Sequence, residues 1–410
     1  MEKKMADIVV VGAGICGLQL GALLASDGRK VTVLEKSSHV GGRAFLWEKE
    51  GFTVDNGIHL IRFGPKSATA RVFKHLGKPL DFVDLGQSKV SLPGGRVVDF
   101  PTSPSGFLTT KMMGRRERLK TLALMLRLKL ESQEKLLDTS VEDWMQKRQI
   151  AGGMRQYLHL VSASMQVCPD LNRSSAGEML LNIQSVLKKG RSVMYPTQGW
   201  RYIYDVLLDE IGRQGQVRTE AKVKNIVVSN GKIRGVELDN GEHIDATMVI
   251  VNLPVQQLFQ VLDESLVPTN FARLCQNQIP TAGVSLDYGL KRKVSEDQGL
   301  WYLTSPMSFG LFTSNLCPDL APPGKQLLTW FCPASQEEMA DRKRVRTLEK
   351  ALEQAIFRVF HGLEDAIQWK RSMHLDMVDG VEVNVDQHRD KRPGYRVPEG
   401  KDLVAVRNRL

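Results

Sequence analysis

The sequence predicts an α/β fold organised around one stretch near its start, and three features of that stretch carry the prediction. The apolar run Ile8–Val11 has the composition of a buried parallel strand. Gly12, Gly14 and Gly17 follow it in G-x-G-x-x-G spacing. A small-residue helical run, Leu18 to Ser26, then leads to a second apolar run, Val31–Leu34, which closes on Glu35. Strand, glycine turn, helix and strand in that order make a βαβ unit that binds a dinucleotide.

Each element has a physical reason. Gly12 permits the tight turn, Gly14 lets the backbone approach a pyrophosphate, and Gly17 lets the helix pack close to the strand. Ala13, Ile15 and Cys16 complete the turn, and the helix N-terminus can hold the diphosphate. Gly28 marks the helix end. Glu35 stands where a carboxylate accepts the ribose hydroxyls, and Lys36 beside it is counted with the same site. A carboxylate here favours an unphosphorylated ribose, so FAD or NAD over NADP.

Gly41-Gly42-Arg43 follows after a short polar loop, and Asp55-Asn56-Gly57-Ile58-His59 soon after. The whole run resembles the FAD fingerprint of the flavin amine oxidase superfamily. That superfamily includes monoamine oxidases, protoporphyrinogen oxidases and the phytoene (carotenoid) desaturases. The resemblance implies an FAD-binding Rossmann-like domain of the glutathione-reductase type. It implies that Gly42 and Arg43 lie against the FAD diphosphate, and that Gly57, Ile58, His59 and Leu60 run near the flavin. An NAD-dependent dehydrogenase is the weaker reading, because Gly41-Gly42-Arg43 has no role in one.

The chain has 410 residues, 42% hydrophobic and 25% charged, which is enough for two or three domains' worth of core. Its net charge of +10 suits nucleic acid, an anionic membrane surface or simple solubility. No zinc-finger spacing, RNA-binding motif or basic-aromatic stripe supports nucleic acid. Cys16, Cys168, Cys275, Cys317 and Cys332 form no C-x-x-C pair. Neither a disulfide framework nor a metal site is expected, which fits a cytoplasmic protein. Lys3 and Lys4 imitate a signal peptide, but the apolar run behind them is short and broken by glycines. No stretch reaches about 18 apolar residues, so no transmembrane helix is expected.

Further along, Phe45–Glu48 and Phe52–Asp55 read as a hairpin around Lys49-Glu50-Gly51. Ser67 to Leu76 is a helix with Gly77 as its C-cap. Phe82–Val90 and Arg96–Phe100 read as strands either side of Pro93-Gly94-Gly95. Phe107–Leu130 carries Lys111, Arg115, Arg116, Arg118, Lys120, Arg127 and Lys129 against only Glu117. Its residues Leu119, Leu122, Ala123, Leu126 and Leu130 keep helical spacing. This reads as a basic amphipathic helix, lying peripherally on an anionic membrane surface or covering a substrate tunnel. The plainer reading is a domain helix with a solvated face. Ser140 caps the next helix, and helical patterns continue to about Leu187. Tyr195-Pro196-Thr197-Gln198-Gly199-Trp200 opens a helix, and Val217 to Leu238 holds a hairpin around Asn230-Gly231. Ala246–Val251 is a buried strand. Strands at Thr281–Lys291, Leu300–Leu303 and Leu327–Cys332 and a helix over Glu337–Phe360 follow.

The resemblance extends into this region. Residues 195–262 are similar to the second FAD-contacting part of the superfamily, and Val223 matches the valine whose backbone binds the adenine. On residues alone, Val223 is a strand core position. The FAD domain is therefore expected to be discontinuous (1–80, 195–262 and 389–410). An α+β substrate domain (81–194 and 263–388) is inserted twice. The helical insertion and the Tyr195–Trp200 region look most like the phytoene desaturase group.

The resemblance implies an FAD-dependent oxidoreductase removing hydride from an apolar small-molecule substrate, of the carotenoid or isoprenoid desaturase kind. Protoporphyrinogen oxidase and amine oxidase are the alternatives; the seven tyrosines show no grouping of the kind an amine oxidase's aromatic cage needs. No catalytic residue is assigned. His59 faces the flavin edge or is structural, and Asp55 could be a turn former. The superfamily ends with a Gly-Asp pair that holds the ribityl chain, then a helix. Arg392-Pro393-Gly394-Tyr395 and Leu403–Val406 resemble the approach to it, and the sequence then reads Arg407-Asn408-Arg409-Leu410. The expectation is a truncated relative that grips the ADP half of FAD, holds the flavin half poorly and turns over little.

Overall fold

Residues 6–190, 192–396 and 403–405 are described by a computed structural model. The first strand, Ala6–Val11, lies at the centre of a sheet ordered Gln216–Arg218, Val31–Leu34, Ala6–Val11, His243–Val251, Lys232–Leu238 and Val223–Ser229. The first four run parallel, and the last two form an antiparallel hairpin. Val9 and Val10 are fully buried, as a strand covered on both faces requires. The hairpin turns through Asn230 and Gly231, both at positive φ, as a two-residue turn of mirror type demands. Leu403–Ala405 adds a parallel strand beside the end of His243–Val251. The residues that follow it, where the Gly-Asp pair was sought, lie outside the described residues.

Helix Ile15–Ser26 packs between this sheet and helix Gly199–Gly212. The close approach needs Gly21: a Cβ there would sit 2.9 Å from Val33 Cγ2 and 3.1 Å from Ile211 Cδ1. The hairpin Leu46–Lys49 with Phe52–Asp55 and the capped helix Ala68–His75 stand where their turn and cap residues put them.

The second sheet runs Ile367–Leu375, Ala282–Leu290, Gln326–Ala334, Met307–Leu311, Trp301–Thr304, Lys89–Ser91 and Val97–Asp99. Ala282–Leu290 and Gln326–Ala334 are buried along their whole length. One face packs on helix Arg342–Val359 through Leu352, Ala355 and Ile356. The other face gives Tyr302, Phe309, Phe331 and Trp369 to the large core shared with the nucleotide-binding sheet and the helical segment.

Three elements differ from expectation. The strand Phe82–Val90 is two pieces in different sheets: Phe82–Val83 pairs with Val193–Pro196, and Lys89–Ser91 joins the second sheet. The helix over Glu337–Phe360 breaks at Asp341, whose side chain accepts the Lys343 and Arg344 N–H groups and caps a new helix. The basic segment is also two helices, Pro104–Thr109 and Arg115–Leu128, with Ser103 and Gly114 as their caps.

The orientation of Arg115–Leu128 is a finding of its own. Thr121 and Leu128 are fully buried, whereas Leu119 and Leu126 are 65% and 60% exposed. Leu128→Ala should therefore cost about 2–5 kcal/mol, and Leu119→Ala less than about 0.5 kcal/mol. Denaturant unfolding of the two variants checks this; a larger loss at Leu119 than at Leu128 would place the helix the other way round.

Candidate active site

The glycine turn is closed by contacts that leave no room for side chains. Gly12 has φ +101°, and a Cβ on Gly17 would lie 2.1 Å from the Gly12 carbonyl oxygen and 2.7 Å from Asn252 Nδ2. Asn252 was not singled out by its sequence position. It follows strand His243–Val251 directly, its Nδ2 donates to the Gly12 carbonyl at 3.2 Å, and it braces the turn from below. The available signal was a polar residue at the end of a buried parallel strand, two residues before Pro254.

Gly14 is different. Its φ is −66°, and a Cβ there would meet only Asn252 Nδ2, at 3.5 Å. It caps helix Ile15–Ser26 with no side-chain hydrogen bond, and the first turn holds no acidic residue. The N–H groups at this helix start are thus open to an anion. Ile15 and Cys16 are half-buried in that first turn, and burial raises the Cys16 thiol pKa against the opposing charge of Arg43.

The second glycine segment lies alongside the first. Gly14 and Gly41 form a parallel bridge, and the Gly41 N–H donates to the Ala13 carbonyl at 2.9 Å. Gly42 has φ +60°, and a Cβ there would come within 3.2 Å of Gly14 Cα. Glu35 is buried with one carboxylate oxygen accepting the Ala13 N–H at 2.9 Å and the other the Ser37 N–H at 3.0 Å. Its backbone pairs with 218–221, which brings Val223, 6% exposed, to the same end of the sheet. Lys36 points to solvent. Arg43 Nη1 donates to the Val378 carbonyl at 2.8 Å, which ties the Gly-Gly-Arg turn to the segment after the second sheet.

These groups fit the ADP half of FAD. Two glycine segments make a cradle that any Cβ would narrow, over a helix start with open donors and a carboxylate able to accept ribose hydroxyls.

Beyond the cradle the chain turns through Gly57, at φ +107°, to Ile58, His59 and Leu60. His59 Nε2 is 2.9 Å from the Asn56 carbonyl, and its ring meets Trp200 edge-on at 5.8 Å. Trp200 Nε1 donates to the His59 carbonyl at 2.9 Å. Burial holds this imidazole below its usual range, so it is neutral near pH 7. Arg62 follows, its Nη2 donating to Asn182 Oδ1 at 2.8 Å. Arg62, Arg43 and Arg392 all act on Asp379, yet burial outweighs them and raises its carboxyl.

Asp55 is 2% exposed and accepts the Tyr195 hydroxyl hydrogen bond on Oδ2; among the described residues Oδ1 has no partner. Burial pushes its carboxyl up to about 7, with the Tyr195 bond opposing and the charge of Asp287 adding. Asp287, on the second sheet, is held by Arg371 Nε at 2.9 Å and Nη2 at 2.6 Å. Sequence reasoning missed this cluster, because its members lie on strands far apart in the chain.

Aromatic rings were also dispersed in the sequence and are grouped in space. Phe100 packs on Tyr157 at 5.1 Å and on Tyr302 at 4.4 Å, and Phe107 meets Tyr157 at 5.0 Å. Burial raises the Tyr157 phenol and pushes that of Tyr302 up to about 12, so both stay protonated. Tyr157 and Tyr302 thus share the Phe100 ring as a neighbour. All five cysteines are free. Among the described residues no His, Cys, Asp or Glu group could hold a metal ion, and no helix is long and apolar enough to cross a membrane.

Fold and cradle together define an FAD-dependent oxidoreductase framework. The chain belongs to the flavin containing amine oxidoreductase family, whose model matches residues 15–375. It is 26% identical over 324 residues to a zeta-carotene-forming phytoene desaturase of Myxococcus xanthus, covering 70% of this chain and 61% of that protein. It is 42% identical over 79 residues to a 4,4'-diapophytoene desaturase of Staphylococcus haemolyticus, covering 19% and 15%. The matches thus span about three fifths or less of these relatives' lengths. Among solved structures, an oxidoreductase from Methanosarcina mazei shares the fold with a TM-score of 0.80 at 22% identity, over 97% and 94% of the two chains. Putrescine oxidase does so with 0.77 at 15%, over 98% and 93%.

Proposed function

We propose that this chain is a desaturase that removes hydrogen from a long apolar isoprenoid of the carotenoid-precursor kind. When bound, FAD supplies the acceptor for the hydride that leaves a substrate carbon. The paired glycine cradle, with Glu35 beneath it, is the observation that carries the flavin part. In this reading Gly12–Gly17, Gly42 and Arg43 hold the diphosphate, Glu35 and Lys36 the ribose side, and Val223 the adenine. Gly57–Leu60 backs the flavin. His59, neutral and fixed by Asn56 and Trp200, shapes that wall without contributing charge. The FAD-binding parts are 1–80, 195–262 and 389–410, and the substrate parts are 81–194 and 263–388.

Two observations support the apolar substrate. The desaturase relatives carry that activity in their names, and the rings of Phe100, Phe107, Tyr157 and Tyr302 pack together as neutral groups where the helical segment meets the second sheet. A substrate space beside such rings would select by shape and dispersion rather than by charge. A long hydrocarbon resides in membranes, so the chain works peripherally at an anionic surface through Phe107–Leu130.

The cofactor reading is tested by calorimetry of the apoprotein. FAD should bind and NAD should not, and Glu35→Gln should weaken FAD by about 1.5–3 kcal/mol, the worth of a charge-assisted hydrogen bond. NAD binding without FAD binding would sink it. For the substrate, apolar polyenes in detergent should gain conjugated double bonds, followed by absorbance. Oxidation of amines with no change in any polyene would replace this reading with an amine oxidase.

A further inference from the structure

We propose that the groove beside helix Arg115–Leu128 is a binding site for the anionic headgroup of a membrane phospholipid, with the outer leucines of that helix set into the acyl layer next to it. The proposal rests on the membrane-surface reading above and names the site and the ligand.

The helix is fixed firmly on its inner side. Thr121 is fully buried, and its hydroxyl lies 3.2 Å from the Met154 sulfur. Gln184 Nε2 donates to the carbonyls of Leu128 and Glu131 at 2.7 and 2.9 Å. Arg118 turns back, donating to the Met113 and Leu108 carbonyls, each at 3.0 Å. What this anchorage leaves outside is an apolar stripe. Leu119, Leu126 and Leu130 are 65%, 60% and 91% exposed, at helical spacing with Ala123 between them. A stripe of this kind on a surface helix calls for a covering.

The charges say what covers it. Arg115, Arg116, Lys120, Arg127 and Lys129 are exposed, and none has a hydrogen bond or ion pair among the described residues. Two carboxylates, Glu117 and Glu131, also line the groove, and each is already engaged. Glu117 accepts the Met154 N–H at 2.8 Å, and Glu131 pairs with Arg148. Arg116, Lys120 and Arg127 line one side of a groove of about 860 Å³, and Ile150 and Met154 line it too. Unpaired cations along a groove that also holds Leu124, Ile150 and Met154, beside bare leucines, match a phosphate headgroup with its acyl chains. An acidic polypeptide would match the cations and leave the leucines in water. Met154 belongs to helix Gly152–Val161, which also carries Tyr157.

The test is co-sedimentation with vesicles of phosphatidylglycerol or phosphatidylcholine. Two variants are compared with the full chain: Arg116→Glu/Lys120→Glu/Arg127→Glu in the groove, and Leu119→Ser/Leu126→Ser/Leu130→Ser in the stripe. Wild type should sediment with phosphatidylglycerol and not with phosphatidylcholine. The groove variant should bind roughly a hundredfold or more weakly, since each cation near an anionic surface contributes. The stripe variant should lose binding in high salt first. Soluble dihexanoyl-phosphatidylglycerol should compete for the groove, and glycerol phosphate should compete weakly. Equal sedimentation of wild type and groove variant would overturn the proposal, as would retention on immobilised polyglutamate without vesicle binding. Turnover of polyenes in detergent separates the two readings. Variants that lose vesicles and keep that turnover uphold the groove. If wild type binds vesicles through the groove and turns over no polyene, the substrate reading fails alone.

Discussion

Asp55→Asn is expected to remove a fall in stability that the wild-type protein suffers between pH 4 and pH 7. The carboxyl of Asp55 has an ordinary value of 3.8 and is pushed up to about 7 in the fold. Below the ordinary value both folded and unfolded chains hold the proton, and the group costs nothing. As pH rises above it, the unfolded chain releases the proton and the folded chain keeps it, so unfolding is favoured by about 1.4 kcal/mol per unit. The stability present at low pH is lost as pH rises through the folded value, about 4 kcal/mol in all. Asparagine does not titrate. It keeps an oxygen for the Tyr195 hydroxyl but puts an N–H₂ where Oδ1 has no partner, which costs a constant ~1–3 kcal/mol. The informative quantity is therefore the difference in slope between the two proteins across pH 4 to 8, measured by urea unfolding. Titrating groups not coupled to Asp55 cancel in that difference. Parallel curves would show that Asp55 is ionised in the fold.

Gly14→Ala and Gly17→Ala should part company, although the glycines are three residues apart in one motif. At Gly14 a methyl group meets nothing closer than 3.5 Å, and the backbone is at φ −66°, which alanine accepts. That variant should fold with wild-type stability. It should bind FAD at least tenfold more weakly, because the methyl stands where the cradle must take the diphosphate; a tenfold loss corresponds to about 1.4 kcal/mol. At Gly17 the methyl falls 2.1 Å from a backbone oxygen. The helix must move off the strand, and a cost of roughly 3 kcal/mol or more is expected from overpacking against backbone. This variant should lose both stability and FAD. Thermal unfolding of the apoproteins, followed by FAD titration, distinguishes the two. Equal stability losses would mean that the turn yields more than its contacts suggest.

The local architecture was legible because its causes are local. Positive φ at Gly12, Asn230 and Gly231 fixes turns wherever they occur in a chain. Ser67 and Ser140 cap helices through bonds within three residues. Glu35 stands at the end of a strand whose length the apolar run sets. These features carried the fold class, the nucleotide turn and the resemblance to the flavin amine oxidases.

What only the tertiary structure decided has a different origin. The period of Arg115–Leu128 marks its leucines as one face but does not say which face meets protein. Burial went to Thr121 and Leu128, because the surfaces of Met113, Met154 and Gln184 accept them. Asp55, Tyr195 and Asp287 come together from three strands, and Phe100, Tyr157 and Tyr302 from the end of strand Val97–Asp99, a helix and another strand. Such contacts depend on how sheets and helices stack, and stacking is settled by the summed fit of many side chains. The sequence by itself determined the nucleotide turn and the elements around it, where neighbours along the chain do the work. The protonation of Asp55, the bracing Asn252 and the bare leucine stripe arose only when distant surfaces closed on one another and excluded water.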